Sequence, residues 1–453
     1  ANAEEDIFSR GTTGTTPNFG LTSNAYRFFS RKQAPVAQLR TNFANGAFNE
    51  AIVGYTRIRD RRATPGVRQA QVTTIVPTVA QLVAGTDAAS QRNELDQDIF
   101  EVTENLTLPL GSRHRVTLGT QNQFYRVRNL FGQNAVGSWT FGTPDSLAAG
   151  TPRQYQISVP VPLPDGTPTD GAVRFRAANY SGYVQDEWTV NDRLNVTAGV
   201  RVDVPTFGDR PPLNRDSVVL NVLRIRTNEF PSGNPQWSPR LGFNWNVTGD
   251  ARNQVRGGVG MFTGQPAYVW LSNSFQNSGG VSGFASLNCI GNLRPPAFTA
   301  ANVANPPTSC TRVSDGATVG ATAGSEINFI RDDVRFPQTA RANLAYDRDL
   351  GAGVVLSLEG LYTRTLNNLF YANYAFADST RTGLDGRTLH GLQPQTPFLR
   401  SSARNLALGV TNQSRDYAYN LTAKLEKRFR TNFGGSVAYT FSKRTPSAAR
   451  ASM

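Results

Sequence analysis

Apolar and polar residues alternate one for one along much of this chain. Between Leu194 and Val204, the residues Leu194, Val196, Ala198, Val200, Val202 and Val204 share one face, and Asn195, Thr197, Gly199, Arg201 and Asp203 share the other. In Arg240–Val247, Leu241, Phe243, Trp245 and Val247 alternate with Arg240, Gly242, Asn244 and Asn246. In Tyr419–Phe429, Tyr419, Leu421, Ala423, Leu425 and Phe429 alternate with Asn420, Thr422, Lys424, Glu426 and Arg428. A period of two places successive side chains on opposite faces of a strand. The same period predicts strands over Ala51–Ile58, Ile99–Leu108, Arg115–Phe124, Gln254–Phe262, Ala340–Tyr346, Val354–Tyr362 and Ser436–Phe441. Helical periodicity is nearly absent.

The connections sort into two classes. Short ones carry turn residues: Asn45-Gly46, Pro109–Arg113, Asn191–Arg193, Thr248–Arg252, Leu350–Gly353 and Thr431–Gly435. Long ones fall near residues 131–172, 205–235, 264–333 and 372–415. Short and long alternate, which a soluble sandwich has no reason to do. A transmembrane antiparallel β-barrel of the outer membrane does so, with short periplasmic turns and long extracellular loops. Six short turns imply about 12–14 strands, counting one or two near the N-terminus.

Aromatic placement agrees with that orientation. Trp188, Trp245, Tyr346 and Phe429 lie within a few residues of short turns. Tyr180 and Tyr419 lie at the far ends of their strands with the same parity as Trp188 and Phe429. Ten tilted residues rise roughly 25 Å, the height of the apolar band between two aromatic girdles. Two residues depart from the pattern. Asp186 and Lys427 fall on the lipid-facing parity, near the interface, where a charge costs ~0–1 kcal/mol and a lysine snorkels. A register-shifting bulge is the other explanation for Asp186.

Composition changes the picture only in part. The 453 residues have a mean hydropathy of −0.38 and are 39% hydrophobic, with no run of about 18 apolar residues. That excludes transmembrane helices but not a barrel, whose strands look hydrophilic on average. Charged residues are only 17%, and the polarity comes from Asn, Gln, Ser, Thr and Gly. The net charge of +13 is almost all arginine, since the lysines are Lys32, Lys424, Lys427 and Lys443 alone. No basic helix, zinc finger or RNA-binding strand motif accompanies it, so nucleic acid is not an expected partner.

At this point a family resemblance emerges. Tyr180-Ser181-Gly182-Tyr183-Val184-Gln185-Asp186-Glu187-Trp188, then Leu194-Asn195-Val196-Thr197-Ala198-Gly199-Val200-Arg201, resembles a strand–turn–strand signature of TonB-dependent outer-membrane receptors. Ser238-Pro239-Arg240-Leu241-Gly242-Phe243, with Val255-Arg256-Gly257-Gly258-Val259-Gly260-Met261-Phe262, is similar to the next hairpin in the Oar-like branch. Tyr417-Ala418-Tyr419-Asn420-Leu421, Lys427-Arg428-Phe429 and Tyr439-Thr440-Phe441-Ser442-Lys443 are similar to a later one. The resemblance covers roughly residues 40–445. It implies a barrel of 22 strands, closed by a plug and opened by the TonB complex. It further implies uptake of a solute, whether peptide, oligosaccharide or metal chelate. No plug, TonB box or final aromatic strand is recognisable, so residues 1–453 are expected to be an interior part of a barrel domain. A smaller complete barrel of about 14 strands is the alternative. The rival functions are a passive porin or exporter, or a structural or adhesive surface protein.

No catalytic, metal or cofactor constellation emerges. Gly257-Gly258-Val259-Gly260 lies inside a strand with no following helix, so it is not a phosphate loop. Asp186-Glu187 and Asp332-Asp333 lack a second acid or His at a foreseeable distance, and His114 and His390 stand far apart. Binding is the better prospect. The long loops carry Trp139, Phe141, Tyr155, Tyr268, Trp270, Phe275 and Phe284, read as exposed ligand contacts, with loop-to-loop packing as the equal alternative. Arg115, Arg201, Arg240, Arg256, Arg341 and Arg428 occupy polar strand positions and would line the lumen, facing plug carboxylates or an anionic solute. Cys289 and Cys310, 21 apart in a Gly/Pro/Asn-rich loop, are expected to form a disulfide worth roughly 3 kcal/mol, the alternative being two free thiols. That bond would hold Trp270, Phe275 and Phe284 near the barrel mouth.

Overall fold

The structure is a computed structural model. It describes residues 2–8, 18–77, 79–163, 165–250, 252–279, 282–321, 326–376, 381–383, 388–389, 406–429 and 433–445. Apart from Leu406–Gln413 and Glu326–Ile330, which pair in parallel beside the upper end of Val354–Asn373, its main sheet is a succession of antiparallel neighbours, each strand pairing with the next across the wall. In chain order these are Asn2–Phe8, Tyr26–Gln33 with Val36–Asn42, Phe48–Ala63, Asn93–Leu110, His114–Phe131, Val173–Asn191, Leu194–Phe207, Gln236–Asn246, Asn253–Thr263, Gln338–Gly351, Val354–Asn373, Tyr417–Lys427 and Gly435–Thr445. Tyr26–Gln33 and Val36–Asn42 both pair with Phe48–Ala63 and act as one strand interrupted at Ala34-Pro35, because Pro35 has no N–H to give the ladder. Among the described residues, no helix is long and apolar enough to cross a membrane.

Every alternating stretch is a strand, but several run further than the alternation. Asn93–Leu110 and His114–Phe131 each have 18 residues. At ~3.3 Å per residue and ~40° tilt they rise about 45 Å, roughly 20 Å beyond the apolar band. The excess stands above the membrane. There water replaces lipid outside, and runs such as Asn93-Glu94-Leu95-Asp96-Gln97-Asp98 no longer alternate. The short turns lie at the other end, with Gly46 at φ +80° and Gly249 at φ +81°, a region open to glycine at no steric cost.

The parity assignment holds through the wall. Leu241, Trp245, Val259, Leu344, Leu358 and Leu421 are exposed on the outward face, while Gln236, Ser238 and Ala345 on the opposite parity are buried. Asp186 sits in unbroken register with both neighbouring strands, so no bulge accounts for its position. It has a partner instead: His114 Nδ1 lies 2.7 Å from Asp186 Oδ2, and the His114 ring stacks on Trp188 at 5.6 Å. Lys427 lies over the Phe433 ring at 5.9 Å.

The long connections are more ordered than their composition suggests. Pieces of two of them, near 131–172 and 264–333, join pieces of two other connections in a second sheet of six strands: Phe284–Cys289, Gln154–Pro160, Ser138–Phe141, Gln71–Val76, Ala80–Ala84 and Asn18–Gly20, in that spatial order. The hairpin Gln71–Ala84 lies in a long connection, residues 64–92, that the turn signals did not single out. Much of residues 372–415 lies outside the described residues. A nine-residue helix, Tyr268–Gln276, was also unforeseen. It lowers Tyr268, Leu271 and Phe275 onto Tyr125, Val127, Phe175 and Ala177 of the inner wall, forming one buried cluster with Phe230, Ile330, Val334 and Val410.

Candidate functional site: a polar chamber inside the wall

The inward faces of Asn93–Leu110, His114–Phe131, Val173–Asn191 and Leu194–Phe207 bring a set of amides and charges together next to the wall residues Tyr125, Val127, Phe175 and Ala177, on which the helix Tyr268–Gln276 packs. A cavity of about 350 Å³ is lined by Gln121, Gln123, Asn179, Arg201, Asp203, Gln236, Thr263, Gln265 and Phe336. The period of two places Gln121 and Gln123 on the same inward face, and antiparallel pairing sets Glu101 opposite Gln123. Glu101 accepts from Gln121 at 2.9 Å and from Gln123 at 2.7 Å. The Tyr125 hydroxyl lies 2.9 Å from Gln123 Oε1 and 2.6 Å from Gln265 Oε1. Gln265 also donates to Gln123, so the segment leading into that helix is tied to the wall. Gln236 closes the far side, donating to the Phe336 carbonyl at 2.9 Å and accepting from its N–H at 3.1 Å.

Arg201 is the charge at the centre of this wall. Its guanidinium donates to Asp203 at 2.9–3.1 Å, to Gln121 Oε1 at 3.1 Å and to Ser181 Oγ at 2.8 Å, and it lies over the Tyr183 ring. Asp203 is buried, so the pair is held by hydrogen bonds on both sides rather than by charge alone. Its charges are spent on each other, which leaves a chamber that presents mainly amide donors and acceptors.

The six lumen arginines fall into three groups. Arg201 and Arg256 are paired on the wall, Arg256 with Asp347 at 2.9 Å and Glu359 at 3.7 Å. Arg240 and Arg341 flank one ring, Phe262, at 4.6 and 5.7 Å, with Gly260 between them in register, and neither meets a carboxylate among the described residues. Arg115 sits exposed on the inward parity across from Glu187, and Arg428 lies just past the end of its strand, at the turn.

The loop aromatics require a correction. Trp139, Phe141 and Tyr155 are 0% exposed, forming the core of the six-stranded sheet with Ile157, Leu287, Cys289 and Cys310. Trp139 Nε1 donates to the Pro296 carbonyl and the Tyr155 hydroxyl to that of Pro307, the latter at 2.8 Å. Burial pushes the Tyr155 phenol well above its ordinary pKa. Tyr268 and Phe275 are buried against the inner wall, Phe275 stacked on Phe175 at 4.8 Å. Phe284 packs its ring where a Cβ on Gly132 or Gly171 would stand. Of the set, only Trp270 is half exposed, at 51%. Loop sequences rich in Gly, Asn and Pro read as open because the partners that bury these rings come from other loops. Cys289 and Cys310 are joined in a disulfide with Cα atoms 6.0 Å apart, fixing Phe284–Cys289 to the segment Ser309–Arg312. Among the described residues no cluster of His, Cys, Asp and Glu could hold a metal ion.

The chamber residues Gln121, Gln123, Gln236 and Gln265 carried no signal in sequence beyond polar parity. Gln265 belongs to a long connection, and only the tertiary structure brings it over the wall.

Comparison with known proteins bears on this arrangement. Residues 4–452 match the model of a family described as an outer membrane beta barrel domain. Among solved structures, the outer membrane transporter YddB from Escherichia coli is similar with a TM-score of 0.57 at 12% identity, over 94% of this chain and 43% of that one. The FrpB iron transporter from Neisseria meningitidis gives 0.48 at 9% identity, over 93% and 45%. The siderophore receptor PirA from Pseudomonas aeruginosa gives 0.45 at 11% identity, over 93% and 51%. The chain thus spans about half the length of these structures. No curated protein matches it by sequence.

Proposed function

This chain belongs to the outer membrane beta barrel domain family, and from that premise we propose that it forms a large part of the barrel of a TonB-dependent outer-membrane transporter of the Oar-like branch. It lies in the bacterial outer membrane and its fold is that of outer-membrane transporters. The observation that carries the proposal further is what occupies the inner wall. A passive pore works best with an open lumen, whereas here the helix Tyr268–Gln276 packs on the inner wall, and Gln265, just ahead of it, lines an amide-rich cavity in that wall. An energised receptor binds first and opens afterwards, which suits a polar site in a partly filled lumen.

The chemistry of the wall favours a neutral, hydrogen-bonding solute, an oligosaccharide or a peptide backbone. Gln121, Gln123, Asn179, Gln236 and Gln265 offer both donors and acceptors, and Arg201 is already neutralised by Asp203. Arg240 and Arg341 have a different task in this reading. Two like charges sharing Phe262 take a carboxylate from off the wall, supplied by a plug segment, in a protein opened by the TonB complex.

The test is energised uptake. Periplasmic contents are compared by mass spectrometry in cells offered mixed oligosaccharides and peptides, with and without the protein and with and without TonB. Uptake that needs both supports the reading. Uptake that survives loss of TonB refutes it in favour of a porin, and surface attachment without any uptake refutes it in favour of an adhesin. A coding sequence that lacks both a plug and a TonB box around this segment sinks it outright.

A further inference from the structure

The outward face of the wall changes character at its extracellular girdle. Tyr55, Phe100, Phe124 and Tyr180 are all exposed there. Phe124 meets Phe100 at 6.2 Å and Tyr180 edge-on at 5.7 Å. They line an outward groove of about 600 Å³, floored by Ala178 and rimmed above by Asp98, Arg126 and Arg176. Arg126 follows Phe124 by two residues on the same face, about 5 Å higher along the tilted strand. An amphiphile at this depth has its chains against the rings and its headgroup against the guanidiniums.

The charge arrangement leaves one like-charge pair on the rim without a bridging acid among the described residues. Arg126 is directly opposite Arg176 in register, and Arg128 is opposite Arg174. Like charges directly opposite each other on one sheet face destabilise it. The upper pair is relieved from within, since Asp170 bridges Arg128 at 3.2 Å and Arg174 at 2.8 Å. The lower pair has no such bridge. Arg176 turns to Asp209 at 3.1 Å. Asp98, across the other side from Arg126, is occupied by Arg59, whose Nη2 donates to both carboxylate oxygens at 2.8 and 2.9 Å, and by the Tyr55 hydroxyl at 2.8 Å. Arg126 is exposed and meets no carboxylate among the described residues. One strand beyond Asp98, Arg57 faces outward directly opposite that carboxylate and forms no ion pair among the described residues.

We propose that Arg126 and Arg176 bind the phosphate of an outer-leaflet glycolipid, with an acyl chain of that lipid lying in the groove of Tyr55, Phe100, Phe124 and Tyr180. A phosphate accepts from two guanidiniums at once and turns the like-charge repulsion into charge-assisted hydrogen bonds. The apolar groove at membrane depth selects a lipid-borne phosphate over a soluble one.

The proposal is tested on the purified protein in detergent by native mass spectrometry, with bisphosphorylated lipid A, its dephosphorylated form and inorganic phosphate as probes. The expected results are retention of bisphosphorylated lipid A, weak retention of the dephosphorylated form, and a loss of roughly 10-fold or more in R126Q/R176Q, as expected from lost charge-assisted hydrogen bonds. Phe124→Ala is expected to weaken lipid A while leaving inorganic phosphate unaffected. R126Q/R176Q removes a repulsion together with the exposed Arg176–Asp209 pair, which contributes little in water, so its heat-modifiable gel migration should stay that of the parent, and Arg252→Gln in a periplasmic turn serves as the control. Equal retention of the dephosphorylated lipid, unchanged retention by R126Q/R176Q, or competition by inorganic phosphate undiminished in the absence of acyl chains would each overturn the assignment.

Discussion

Phe275→Ala should undock the helix Tyr268–Gln276 from the inner wall while leaving the barrel wall folded. The Phe275 ring is 5% exposed, stacks on Phe175 at 4.8 Å and meets Phe230 at 5.3 Å. Truncating a buried Phe costs about 3–5 kcal/mol. That cost falls on the docking of a nine-residue helix, which is too short to be stable alone in water, and not on the strand ladder beneath it. At about 1.4 kcal/mol per tenfold, the undocked population rises by roughly 100-fold or more. Hydrogen exchange read by mass spectrometry in detergent checks this directly. Amides of 268–276 should lose protection by that factor, while those of His114–Phe131 and Val173–Asn191 keep theirs. The remaining wall contacts of Tyr268 and Leu271 predict that Y268A/F275A undocks the helix further still. Unchanged protection over 268–276 would refute the docking assignment. Equal loss in the strands would refute the separation of helix from wall.

Three further outcomes follow from the geometry. Replacing Cys289 or Cys310 by Ser should cost the six-stranded loop sheet about 3 kcal/mol from its 21-residue loop, seen as faster proteolysis within residues 284–321; the parent should not react with a thiol probe until reduced. Arg201→Met should destabilise by about 3–5 kcal/mol in urea titrations, because it leaves the buried Asp203 unpaired, and R201M/D203N should recover part of that. The guanidinium of Arg174, together with the Ala172 N–H and Arg128, holds the Asp170 carboxyl well below the usual carboxylate range. A depressed acid contributes stability that is present above its unfolded value near ~4 and is lost as pH falls toward the lowered one, so proteolysis near residues 161–172 should speed up below about pH 4, and Asp170→Asn should remove that pH dependence.

The alternation of Leu194–Val204 or Arg240–Val247 determined strand identity, facing and register by itself, because in lipid every backbone group must pair in the sheet and a one-residue slip would turn each polar side chain outward. Turn position was equally local: Asn45-Gly46 or Thr248–Arg252 contain their own chemistry. His114 shows the limit of this reasoning. It stands 72 residues from Asp186, and only the pairing of two strands makes them partners. The loops lay further out of reach. Trp139 and Tyr155 look like exposed binding aromatics until Pro296 and Pro307, more than 150 residues later, cover them. The chamber needs the same long-range closure, since Gln123 and Gln265 are 142 residues apart. Local pattern decides which face of a strand is polar. Which polar faces become a site depends on what the long connections bring over them, and that is settled by packing between segments that carry no periodicity of their own.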